Sequence, residues 1–120
     1  MQPRTSNLHS DTTIAPGTEQ FMTLLESGGA RIERIVSNSH SSPEGFWYDQ
    51  SDDEWVLLVA GDATLEFDPG TPVKMSAGDH VFIPCHTRHR VRDTSPCAVW
   101  LAIHLKPVPQ SGTAFDSGIH

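Results

Sequence analysis

Turn punctuation constrains this chain more than any other feature. Over its second half, short apolar runs are broken at regular intervals by clusters of Gly, Pro, Asp and Ser. The breaks are Ser51-Asp52-Asp53, Gly61-Asp62, Asp68-Pro69-Gly70, Ser76-Ala77-Gly78-Asp79, Pro84, Asp93 to Pro96, and Lys106-Pro107-Val108-Pro109. Such spacing leaves room for strands and little room for helices, the pattern of an all-β sandwich or barrel. Within the runs the periodicity is two. Leu65 and Phe67 alternate with Thr64 and Glu66, and Trp100, Ala102 and His104 alternate with Val99, Leu101 and Ile103. Trp55 to Ala60 is almost continuously apolar, which predicts a strand covered on both faces.

The first half is less regular. Residues 1–17 are polar, without periodicity, and read as a flexible N-terminal arm. Thr18 then caps an expected short helix over residues 19–26, with Phe21, Leu24 and Leu25 at helical spacing and Gly28-Gly29 as its stop. Strands are expected from residue 31 onward, at 31–37 and again at 45–50. The reading is one domain over residues 18–106, about eight short strands in all, and a C-terminal tail over 107–120.

The chain has 120 residues and 37% hydrophobic content, enough for one core. Its formal net charge of −7 offers no basic footprint for nucleic acid or an anionic membrane surface. No apolar run approaches the roughly 20 residues of a bilayer-spanning helix. The N-terminus lacks the apolar core of a secretory signal. Cys85 and Cys97 therefore read as free thiols in a reducing compartment, and the expected location is cytoplasmic.

Two spaced motifs lie between residues 45 and 89. Glu54 is followed after six residues by Gly61. Gly78 is followed after five residues by Pro84, and after four more by His89. These resemble the two motifs of the cupin superfamily, and the match extends over residues 32–105. The resemblance implies a double-stranded β-helix, or jelly-roll barrel, of the small single-domain, RmlC-like kind. It also implies a metal in the barrel mouth, held by His-x-His, Glu and His. Here Glu54 and His89 stand at two of those places, while Tyr48 and Gln50 occupy the His-x-His positions.

Gln50, Glu54, His86 and His89 form the expected ligand set for a divalent metal ion, either Zn, Fe, Mn or Ni. Tyr48, Glu54 and His104 are the expected catalytic groups, serving as acid, base or donor. A structural alternative pairs Glu54 with Arg88 or Arg90. The function expected is metal-assisted chemistry on a small polar molecule, of dioxygenase, lyase or isomerase type. The alternatives are a metal-free isomerase or epimerase built on Tyr48 and His89, or a non-catalytic binding or sensing module. Trp55, Leu57 and Val59 project opposite to Glu54, and that apolar face predicts a homodimer.

Overall fold

The computed structural model describes residues 2–107, and the tail expected beyond residue 107 lies outside the described residues. Eight strands follow one another: β1 (Thr18–Ser27), β2 (Ala30–Asn38), β3 (Asp53–Ala60), β4 (Asp62–Asp68), β5 (Val73–Ser76), β6 (His80–Ile83), β7 (Arg88–Thr94) and β8 (Ala98–Leu105). They form a five-stranded sheet, β1-β2-β8-β3-β6, and a three-stranded sheet, β5-β4-β7. All pairings are antiparallel. The arrangement fits a jelly-roll barrel. No helix occurs among the described residues, so none is long and apolar enough to cross a membrane.

The core lies between the sheets, where alternation brings it. Ile35, Val56, Leu58, Ile83 and Trp100 from the larger sheet meet Ala63, Leu65 and Met75 from the smaller. On β3, Glu54, Val56 and Leu58 are buried while Trp55, Leu57 and Val59 are half-buried. The outer face is thus only partly covered, and Phe82, the cross-strand partner of Trp55, is 53% exposed beside it. Trp55 packs there against His80, with ring centroids 5.4 Å apart.

Two expectations about the first half are corrected. The segment 19–26 is not a helix but most of β1. Gly28 and Gly29, read as a helix stop, both have positive φ (57° and 84°) and form the two-residue turn of a β1–β2 hairpin. A register shift between Thr23 and Leu25 offsets the alternation of β1, so its apolar residues fall at spacings that imitate a helix. The unpaired backbone edge of β2 decided the outcome, since β1 satisfies its donors and acceptors along nine residue pairs. The segment 45–50 is not a strand either; only Tyr48 pairs, as an isolated bridge to His89.

The N-terminal arm is tied to the outer face of β2. Arg34, 4% exposed, donates to the carbonyls of Leu8 (3.2 Å) and Ser10 (2.5 Å), and Asn38 donates to the carbonyl of Ile14 (2.8 Å). Cys85 and Cys97 are both free thiols.

Candidate functional site

A cavity of about 400 Å³ opens between the two sheets. The strand registers explain which side chains enter it. Glu54 on β3 lies directly opposite His104 on β8, and His104 lies opposite Arg31 on β2. Cross-strand partners share a face, so burial of Glu54 places His104 and Arg31 inward as well. Glu33 and Ile35 follow from Arg31 at two-residue steps. Val56, Leu65, Ile83, Val91 and Trp100 supply an apolar floor, and Glu19 and Phe21 of β1 close one side.

His89 enters from the smaller sheet on β7. Its backbone is tied to Tyr48 by two hydrogen bonds, Tyr48 N–H to His89 O (2.7 Å) and His89 N–H to Tyr48 O (3.1 Å). The Tyr48 ring stacks on the His89 ring at 5.3 Å between centroids and 23° between planes. His89 Nδ1–H donates to the carbonyl of Thr87 at 2.8 Å. A carbonyl only accepts, so the neutral ring leaves its Nε2 lone pair facing the cavity. That nitrogen lies 3.6 Å from Glu54 Oε1.

His104 is held differently. Its Nε2–H donates to Glu33 Oε1 at 3.1 Å and lies 4.0 Å from Glu54 Oε2. Both histidines are buried, and so is Glu54, at 8% exposure. Glu54 Oε1 is buried without any hydrogen-bond donor among the described residues. Arg88 and Arg90 do not neutralise it. They pair with Asp68 and Glu66, at 2.8 Å each, and both guanidinium groups lie over the Trp47 ring.

Tyr48 sits in this field. Its phenol is pushed up to about 12, first by burial and then by the carboxylates of Glu19, Glu54 and Glu33. It stays protonated near neutral pH. The Glu19 carboxyl is also raised by burial, against the lowering effect of His40 (3.3 Å) and the Ser37 hydroxyl (3.0 Å), with Glu33 raising it further.

Of the residues expected at the site, Tyr48, Gln50, Glu54, His89 and His104 all line this one cavity. His86 does not. Its backbone N–H bonds the Gln50 carbonyl (2.7 Å), its φ is 60°, and its ring pairs with Asp49 at 2.8 Å with 66% of the side chain exposed. The left-handed turn points it to solvent, outside the cavity that the other expected ligands line. Sequence reasoning missed Glu19, Arg31 and Glu33. The signal available for the last two was the charged pair at two-residue spacing beside Ile35 on one strand face.

The donor chemistry around Glu54 suits a cation. Two acceptors, Glu54 Oε1 and His89 Nε2, face each other, and Gln50 shares their cavity. No group of three His, Cys, Asp or Glu side chains is placed to hold a metal ion among the described residues. The pair offers two ligand atoms, and the surrounding set adds few strong ones: His104 commits its Nε2 to Glu33, and Tyr48 resists deprotonation.

Comparisons with known proteins agree with this architecture. The cupin domain family model matches residues 35–104. A crystal structure from Ralstonia eutropha JMP134, provisionally named a mannose-6-phosphate isomerase, is 44% identical; the match covers 88% of this chain and 100% of that one, with a TM-score of 0.83. A cupin superfamily protein from Desulfitobacterium hafniense is 20% identical, over 89% of this chain and 94% of that one, at TM-score 0.73. An RmlC-like cupin from Shewanella frigidimarina is 17% identical, over 79% and 81%, at TM-score 0.64. No protein with a curated description matches at a significant level. With the motif spacing, the two-sheet barrel and these likenesses in accord, the chain belongs to the cupin family.

Proposed function

We propose that this cupin is an enzyme of the isomerase type, moving a proton between adjacent carbons of a small polar hydroxy-carbonyl compound. The single observation that carries the reading is Glu54 Oε1, a buried carboxylate oxygen with no donor, aimed into a cavity of small-molecule size. In this reading Glu54 removes the proton from the carbon next to the carbonyl. Tyr48 O–H donates to the oxygen on which charge develops, the neighbouring hydroxyl proton passes to that oxygen, and Glu54 returns the carbon-bound proton to the adjacent carbon. Glu33 holds His104 with its proton on Nε2. The isomerase name of the 44% identical Ralstonia protein supports the same reaction class.

A second reading is favoured by the opposed acceptors. Glu54 and His89, with Gln50, would hold a divalent metal ion, which when bound would polarise the substrate carbonyl. The test is the metal content of protein purified without a chelating tag, beside Glu54→Ala and His89→Ala. About one metal per chain, lost in both variants, supports the metal reading. Proton exchange into substrate that survives chelation supports the metal-free one, and no exchange under either condition removes both in favour of a binding module.

The free thiols of Cys85 and Cys97 suit a reducing compartment, the cytoplasm. Self-association belongs to this reading too, with the surface moved. Phe21, Met22, Leu24 and Leu25 of edge strand β1 are 51%, 43%, 42% and 55% exposed.

A further inference from the structure

We infer that the barrel cavity takes a small organic cation, a compound carrying a protonated amine, bound between Glu33 and Glu54. The inference rests on the reading of this cavity as the functional site. Three carboxylates, Glu19, Glu33 and Glu54, line it against one guanidinium, Arg31. With the histidines neutral, the wall therefore carries a net charge of −2.

Glu19 is met by His40 at 3.3 Å and the Ser37 hydroxyl at 3.0 Å, but little offsets Glu33 and Glu54. The one N–H of His104 that reaches the carboxylates is bonded to Glu33 at 3.1 Å and only approaches Glu54, at 4.0 Å. His89 commits its Nδ1–H to Thr87 and offers Glu54 a lone pair. A carboxylate oxygen buried in this way without a donor costs free energy until something positive with N–H groups arrives. An ammonium brings one positive charge and three donors. Its natural acceptors are Glu54 Oε1, the second oxygen of Glu33, and His89 Nε2.

The rest of the wall suits the same guest. Phe21, Tyr48 and Trp100 line the cavity, and aromatic faces attract cations. Glu19, Glu33 and Glu54 all push the Tyr48 phenol in the same direction, so their fields converge near its ring. A phosphate ester would enter against that field. Arg31 is the one guanidinium of the wall and is outnumbered there, with Glu26 as its cross-strand partner on β1 and Glu33 two residues along its own strand. The ligand thus differs in charge from the phosphorylated substrate in the Ralstonia protein's name.

The experiment is thermal melting and calorimetry on the full chain with ethanolamine, glucosamine, N-acetylglucosamine and glucose 6-phosphate. Divalent metal salts alone form a separate arm. The expected result is stabilisation by the amines, absent with the N-acetyl form, which keeps the sugar and loses the charge. Glu33→Gln and Glu54→Gln should each weaken amine binding about tenfold, the loss of one charge-assisted hydrogen bond. Should either variant fail to fold, wild-type binding measured against pH replaces it; affinity must fall as the amine loses its proton. Stabilisation by glucose 6-phosphate or by metal alone, with no response to any amine, overturns the inference. Deuterium uptake into ligand carbons in D₂O reads proton transfer separately. Amine binding without uptake leaves this inference standing and removes the isomerase reading; uptake into a phosphate ester without amine binding does the reverse.

Discussion

Tyr48 is the only tyrosine in the chain, which makes the electrostatics of the cavity directly measurable. Its raised pKa means that folding favours the neutral phenol. The stabilisation from keeping it neutral is present below about pH 10, the unfolded value, and is lost as pH rises through about 12. Absorbance titration at alkaline pH should therefore show a midpoint near 12 in the folded protein and near 10 in denaturant. A folded midpoint near 10 would mean that neither burial nor the carboxylates bear on this ring as described. Glu54 and His89 were legible because fixed spacing in one stretch of chain marks them. Glu33 was not, because its role depends on a contact with His104 that is 71 residues away in sequence.

The elements differ in how firmly local chemistry specifies them. Gly61 joins β3 to β4 at φ 89°, and a Cβ there would meet Ser95 Oγ at 2.6 Å and Ala98 Cα at 3.0 Å. Gly78, at φ 98°, has nothing within 4 Å. Gly61→Ala should cost about 2–4 kcal/mol, backbone strain plus a clash with backbone atoms, and Gly78→Ala about 1–2 kcal/mol from strain alone. Thermal or denaturant unfolding of the two variants checks the order. β1 is the opposite case. No turn or cap requires it to be a strand; it is one because β2 offers an edge, and the Gly28-Gly29 turn directs the chain back along it. The same Gly pair serves a helix stop equally well in sequence, so hairpin and helix were indistinguishable there.

For the whole molecule, a ten-residue edge strand with nine exposed positions is a surface that a second copy would cover. Sedimentation at micromolar concentration should give the mass of a dimer, and Met22→Lys with Leu25→Lys should give the monomer. A wild-type monomer would count against the idea. The charge of −7 acts at this scale as well. It keeps the protein dispersed and draws cations toward a cavity that is itself negative.

Turn residues, period-two alternation and motif spacing are local properties, and they were enough to establish an all-β barrel of cupin type and to single out Glu54 and His89. The rest belongs to long-range pairing. Which face of β8 is inside, that His104 answers to Glu33, that His86 turns to solvent, and that Glu19 and Phe21 wall the cavity from a strand are all set by registers between distant segments. A register moves every side chain of a strand to one face or the other by a single-residue step. The charge inside the barrel is a sum over three such strands, and no window of the sequence contains it.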